Sequence, residues 1–346
     1  MIAGAAIIIG YTVLGGFLAV STTDLIQSVV MSIALIIIVF FGIHVAGGWD
    51  AVISNAQSLA GYLSMTSMHN MADHTSSPYS LLTICSTLAW GLGYFGMPHI
   101  LLRFMAIEDE KKLKLSRRVA TIWVVISLFV AVFIGVIGYT MSKVGALEML
   151  TGSNSETIIV KISALLSQHG VIFALLAGVI LAGILASTMS TSDSQLLAAS
   201  SAVSSDILGA FRKDSSNKNG SMAAARITLL VISVVAAFIA RNPDSSVFAI
   251  VSFAWAGFGA AFGPVVLFSL FWKRTNKWGA LAGMVCGGSM VFIWKYLIRP
   301  LGGIWNIYEL LPAFLIACAA IVIVSLLTPK PSKEIEEEFD RVAQMK

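Results

Sequence analysis

Charge is what this chain has least of. Asp, Glu, Lys and Arg supply 12% of its 346 residues, against about 25% in a soluble domain. Polar stretches are short too. None exceeds about 35 residues, too few for a separate soluble domain. Cysteine is scarce, and Cys85, Cys286 and Cys318 each stand alone in apolar surroundings. With no CxxC pair and no His/Cys cluster, neither a disulfide framework nor a transition-metal site is suggested. No GxxxxGK[ST] stretch is present to cradle a nucleotide phosphate. Enzyme activity is not indicated. A net charge of +4 in so apolar a chain is no signal for nucleic acid; its distribution over the loops matters more.

What is abundant is apolar sequence. Hydrophobic residues make up 57% of the chain, and the mean hydropathy is +0.87. Runs of about 18 or more apolar residues, each long enough to cross a bilayer, recur throughout. The expected class is an all-α polytopic membrane protein embedded in a lipid bilayer. Nine hydrophobic segments are expected, at 1–19, 22–46, 80–105, 116–141, 168–206, 221–240, 245–272, 277–298 and 309–328. The fifth exceeds the length of one span, so it is expected to begin in the outer interface and run as a helix into the inner one.

Lys and Arg orient these segments. Arg103, Lys111, Lys112, Lys114, Arg117 and Arg118 fall in one connection, and Arg212, Lys213, Lys218 and Arg226 in another. Lys273, Arg274 and Lys277 fall in a third, and Lys330, Lys333, Arg341 and Lys346 in the tail. Only Lys143, Lys161, Arg241, Lys295 and Arg299 occupy the alternate connections. The rich set is therefore cytoplasmic. Segment 22–46 then runs outward and segment 1–19 inward, which puts Met1 outside with no basic leader to direct it there. The chain thus reads as the rear part of a longer protein.

The loop 47–79 has no Lys or Arg and carries His69, Asp73 and His74, a set compatible with a loop metal site or, more simply, with an ordinary solvated extracellular loop. Residues 1–328 form the expected transmembrane domain, and 329–346 a charged cytoplasmic tail, helical or simply solvated.

Four stretches break the apolar pattern. In "LASTMSTSDSQLL" (185–197), Ser187, Ser190, Asp193 and Ser194 fall near one helix face at 3.6 residues per turn, and Thr191 widens it. Single Ser and Thr residues in membrane helices usually bond back to their own helix or join helices together. Several hydroxyls with a carboxylate at membrane depth form instead a hard-oxygen surface suited to a small alkali cation. In "STTDLIQSVVM", Asp24 reads equally as an N-terminal cap or as a functional carboxylate. In "LAWGLGYFGMPHILLRF" (88–104), Gly91, Gly93, Gly96 and Pro98 interrupt one span. Such breaks are tolerated where the freed backbone faces protein or a cavity, and they mark sites in transporters. Trp90 and Tyr94, one turn apart, can wall a small organic solute, or they can be interfacial aromatics on a kinked helix. The small residues of 257–284 read as a packing surface.

Three of these segments, "GGFLAVSTTDLIQ" (15–27), "WGLGYFGMPHILLRFMA" (90–106) and "ILASTMSTSDSQLLAASSAVSSDI" (184–207), resemble the sodium:solute symporter family. They occur in family order, and the second is most similar to the family's bacterial proline-transporting members. The resemblance implies an inverted-repeat (5+5) transporter fold, partial here with about nine transmembrane helices. It implies symport of sodium with L-proline or a similar small solute into the cell across the bacterial plasma membrane, with sodium as coupling ion and no cofactor.

By resemblance, Ser190 and Thr191 match hydroxyl ligands of the main sodium site and Ser187 a backbone-carbonyl ligand. Asp24, Asp193 and Ser194 match a second sodium or coupling position. Trp90, Tyr94 and Pro98 match solute-side residues. Segment 1–19 resembles the end of core helix four, with the leading helix and core helices one to three absent, so the 346 residues alone are expected not to transport. Two departures stand out: Met97 replaces the usual Gln, and Asp193 the usual Ser. Other implied readings are a symporter for pantothenate, a sugar or an anion, a sensor-type membrane domain, or a non-transporting remnant.

Overall fold

The computed structural model describes residues 2–70, 73–208, 218–240 and 246–344. Arg212, Lys213, Arg241, Lys346 and the placement of Met1 lie outside the described residues, as do residues 209–217 and 241–245. In chain order the helices and strands are α1 (Ile2–Val45), α2 (Trp49–Ser58), β1 (Ser67–His69), β2 (Ser76–Pro78), α3 (Leu81–Gly93), α4 (Pro98–Met105), α5 (Leu113–Lys143), α6 (Ile158–Ser167), α7 (Val171–Ser201), α8 (Lys218–Ile239), α9 (Val247–Phe271), α10 (Lys277–Ile293), α11 (Leu310–Leu327) and α12 (Lys333–Gln344). Among the described residues six helical stretches are long and apolar enough to cross a membrane, and Leu81–Gly96 and Ala223–Ile239 are shorter apolar helices.

The nine expected segments differ from this at the N-terminal end. Segments 1–19 and 22–46 do not reverse direction between them; they form the single 44-residue helix α1, about 66 Å long at the α-helical rise. The polar run that suggested a turn satisfies itself inside the helix. Thr22 donates to the Leu18 carbonyl at 3.0 Å and Thr23 to the Val20 carbonyl at 2.9 Å, and no proline interrupts. Asp24 is accordingly mid-helix and not an N-terminal cap.

Two compact units divide the chain: Met1–Ser77 with Ile107–Ser245, and Pro78–Ala106 with Ser246–Lys346. In the first, α1 packs on α7, and α5 and α6 close one end. The core there is Ala34, Ile38, Ile134, Ile137, Met141, Ile162, Leu166, Ala177 and Ile180, all buried. Close approach needs small residues. A Cβ on Gly183 would meet Ala34 Cβ at 2.7 Å, and one on Gly42 would meet Ile137 Cγ2 at 2.6 Å. The opposite half of α5 leaves Val119, Ile122, Val125, Phe129 and Val132 exposed, as a lipid-facing surface requires.

Helix α6 was not anticipated from sequence. Its Ser163 hydroxyl donates to the Ala177 carbonyl at 3.1 Å, tying it to α7. The loop 47–79 holds α2 and a two-stranded sheet, β1–β2. There Asp73 accepts from the Thr75 hydroxyl at 2.8 Å and the Thr75 backbone N–H at 3.2 Å, which holds its carboxyl below the usual range. His69 Nδ1 lies 2.9 Å from the Ala60 carbonyl. Among the described residues no group of three His, Cys, Asp or Glu gathers to hold a metal.

In the second unit α9, α10 and α11 pack around Ala256, Ala260, Val291, Leu310, Ala313 and Phe314. Residues Trp294–Ile298 continue α10 as a π-turn. The tail is helical, and Asp340 of α12 pairs with Lys273 at 2.5 Å.

Candidate functional site

The polar run of α7 stays helical because its hydroxyls bond to the helix itself. Thr188 donates to the Ile184 carbonyl at 3.1 Å and Ser194 to the Ser190 carbonyl at 2.9 Å. Ser190 and Thr191 both donate to one acceptor, the Ser187 carbonyl, at 3.1 and 3.3 Å. The three oxygens expected to face a cation are thus gathered within one helical turn. Each hydroxyl oxygen, its proton donated to Ser187, keeps lone pairs able to accept or to ligate a cation. A π-turn at Ala202–Ile207 follows; such turns recur at functional sites.

The structure divides the expected single face into two sectors. Ser187 and Thr191 are exposed and Ser190 half-buried, whereas Asp193 and Ser194 are buried. Asp193 is 0% exposed, and the Ser194 hydroxyl lies 3.4 Å from its Oδ1.

What lies level with Asp193 follows from register. Gly183 abuts Ala34 and Met31 of α1, and the two helices run antiparallel. Ten residues further along α7, and ten back along α1, each about 15 Å at the α-helical rise, bring Asp193 to the level of residues 21–24, which include Asp24. The Asp24 Oδ1 is itself buried. One turn on, Gln27 Oε1 is buried with no hydrogen-bond partner among the described residues. Carboxylates and an amide oxygen on facing stretches of two membrane helices form a polar region of the kind that marks a functional site.

The second candidate region belongs to the other unit. Helix α3 ends at Gly93, tightens into a 3-10 turn at Tyr94–Gly96, passes through extended Met97 (φ −80°, ψ 111°), and resumes as α4 with Pro98 at its first turn. Pro98 suits that position because it has no N–H to satisfy there. Glycine makes the break fit. A Cβ on Gly259 would sit 2.7 Å from the Gly93 Cα, and one on Gly96 would run into the Phe258 carbonyl. The small residues after Gly257 therefore form the surface on which the broken helix rests.

Aromatic rings fill the space beside the break. Trp90 stacks on Phe248 at 5.5 Å and on Trp255 at 5.4 Å, with interplanar angles of 9° and 15°. Phe248 and Trp255 are seven residues apart on α9, about 10.5 Å along its axis, so the Trp90 indole lies between them. Trp90 is half-buried among these rings. Tyr94 meets Trp255 edge-on at 4.7 Å and is 47% exposed, so it is the more accessible of the two. Met97 is buried at 4% exposure, and Pro98 is half-buried.

Trp255, Phe248 and Tyr308 were not singled out from sequence. The available signal was Trp255, a tryptophan deep in an apolar span whose N–H must find a partner. That partner is the Trp90 carbonyl, at 2.9 Å.

A family model for the "Sodium:solute symporter family" matches residues 1–287. The chain belongs to that family. A sodium/proline symporter of Haemophilus influenzae is 39% identical over 343 residues, covering 98% of this chain and 65% of the relative. The sodium/proline symporter of Escherichia coli is 37% identical over 338 residues, 97% of this chain and 64% of the relative. An osmoregulated proline transporter of Bacillus subtilis is 37% identical over 328 residues, 95% of this chain and 63% of the relative.

The chain thus spans a little under two thirds of the length of these relatives. A solved Na+-coupled sialic acid symporter, in its substrate-bound outward-open state, superposes with a TM-score of 0.71 at 18% identity. The match covers 95% of this chain and 66% of that one. That likeness establishes the fold, the inverted-repeat symporter fold of the family, in a multi-pass membrane protein.

Proposed function

We propose that the chain forms the sodium-binding and solute-facing parts of a symporter that couples inward sodium flow to uptake of L-proline or a similar small solute across the bacterial cytoplasmic membrane. Residues 1–328 make up its transmembrane part, and 329–346 a cytoplasmic tail. The observation that carries this reading is the shared Ser187 carbonyl: it draws the Ser190 and Thr191 hydroxyls into one oxygen cluster on the helix that also buries Asp193.

Ser187, Ser190 and Thr191 supply hard oxygen ligands for one sodium ion. Asp24, Asp193 and Ser194 supply a second cation or coupling position, with Gln27 available beside it. Trp90, Tyr94 and Pro98 supply the solute side. Family membership and the proline-transporting relatives support this assignment. No covalent step is involved. Coupling arises because sodium binds one conformation better than another and shifts the population toward it. Asp193 adds a negative charge that a serine would not, which strengthens cation binding at the buried position.

A second reading, a sodium symporter for another solute, is favoured by Met97. It places a thioether at the helix break where an amide is usual, which removes a donor and an acceptor for a polar ligand. Uptake of radiolabelled proline with and without sodium tests both readings, using the protein expressed from its longest in-frame reading frame. Saturable, sodium-dependent proline uptake supports the first. Sodium-dependent uptake of a pantothenate, sugar or anion that excess proline does not compete with supports the second.

A further inference from the structure

The connection between α10 and α11 is held by a buried carboxylate that none of the above uses. Glu309 is 1% exposed. Its Oε2 lies 2.8 Å from Arg299 Nη1 and its Oε1 4.0 Å from Lys295 Nζ. Arg299 also donates from Nε to Asn306 Oδ1 at 3.0 Å, and the Trp294 indole donates to the Ile307 carbonyl at 3.3 Å. Residues 306, 307 and 309 are thus each fixed to the end of α10 or the turn after it.

Tyr308 lies between those anchors and points the other way. Its backbone N–H donates to the Ser86 hydroxyl of α3 at 3.0 Å, and its phenol donates to the Ser252 carbonyl of α9 at 2.6 Å. Its ring stacks 6.2 Å from Trp90 at 17°. Burial pushes the phenol pKa up. Lys295, the second cation, sits 3.8 Å over the Phe253 ring, between Phe248 and Trp255 on the same helix.

A buried ion pair adds little stability relative to a well-packed apolar pair, yet removing one partner strands the other. The planar guanidinium of Arg299, bonded to two residues of one turn, fixes geometry. We propose that Glu309 is a positioning residue for the solute side: with Arg299 it locks the 306–309 turn so that Tyr308 holds Trp90 in its stack beside Tyr94. This rests on the reading of Trp90 and Tyr94 as solute-facing.

The test uses the protein from its longest in-frame reading frame, purified and reconstituted. Glu309→Gln keeps the shape and removes the charge. Tyr308→Phe keeps the ring and removes the bond to Ser252, and it carries the test if Glu309→Gln fails to fold. Both variants are expected to raise the proline KM about tenfold, as for loss of one positioning hydrogen bond, with maximal rate and sodium half-saturation within about twofold of wild type.

A second readout is independent of transport: the near-ultraviolet circular dichroism of the stack, taken as wild type minus Trp90→Phe. Glu309→Gln is expected to lose that signal. An unchanged KM in both variants, or a retained stack signal in Glu309→Gln, overturns the proposal. If wild type takes up no proline, the solute reading fails instead, and the dichroism alone decides the positioning.

Discussion

The indole N–H of Trp255 donates to the carbonyl of Trp90 at 2.9 Å while the two rings stack at 5.4 Å. Trp90 lies in the last turn of α3, where carbonyls run out of helical donors, and the partner comes from 165 residues away. Trp255→Phe keeps a ring and removes the donor. It is expected to lower stability by about 1 kcal/mol, the net worth of one hydrogen bond, measured as a lower thermal midpoint in detergent. An unchanged midpoint would mean that water replaces the indole at that carbonyl.

Glycine substitutions on α3 should separate sharply by position. A Cβ on Gly93 would run into the Trp255 ring, whereas one on Gly91 meets nothing within 4 Å. Gly93→Ala is therefore expected to abolish recovery of monodisperse protein. Gly91→Ala should be neutral or stabilising by up to about 1 kcal/mol, through reduced backbone entropy of the unfolded chain. Size-exclusion profiles and thermal melts of the two variants check this.

The tail helix is predicted to be sensitive to salt but not to ordinary pH changes. Its Asp340 accepts from Lys273 at 2.5 Å, which raises the lysine pKa above its usual value near 10.5. A raised cationic pKa means that the contribution is fully present below the unfolded value and is lost only as pH rises through the folded one. Between about pH 6 and pH 9 docking should be constant, since both lie below the usual lysine value, while added salt screens this exposed pair. Limited trypsin cleavage after Lys333 reports docking. Asp340→Asn should accelerate it, and raising the pH from 6 to 9 with Lys273 intact should not alter protection.

Much of this was legible in the sequence, and the illegible parts share a cause. Apolar runs locate the spans because lipid forbids unpaired backbone, and Gly93, Gly96 and Pro98 mark the break in α3–α4 because each alters local backbone rules. The hydroxyl cluster of α7 is legible for the same local reason. The expected reversal near Ser21 failed because Thr22 and Thr23 bond to their own helix, and composition does not reveal that choice. The division of the α7 cluster into exposed Thr191 and buried Asp193 depends on which face α1 covers. The ring stack on Trp90 and the Tyr308–Ser86 bond join residues 165 and 222 positions apart, beyond the reach of any periodicity.

Asp193 should separate the two candidate cation positions. Its buried carboxylate lies at the level of residues 21–24, away from the exposed sector of Thr191. Asp193→Ser keeps an oxygen ligand and removes the charge. It is expected to weaken the stabilisation of the purified protein by sodium over potassium about tenfold in half-saturating concentration, as for loss of a charged ligand, and to leave the proline KM at saturating sodium within about twofold. Thermal-shift titrations and uptake kinetics measure the two effects.

The most direct test of the sodium assignment is the sodium dependence of solute uptake by Thr191→Ala, in vesicles containing the protein from its longest in-frame reading frame. Loss of one of the two hydroxyls gathered on Ser187 is predicted to raise the half-saturating sodium concentration about tenfold or more, while Thr188→Ala, one turn away and bonded to Ile184, leaves it unchanged. A Thr191→Ala protein whose sodium curve superposes on wild type would contradict the account.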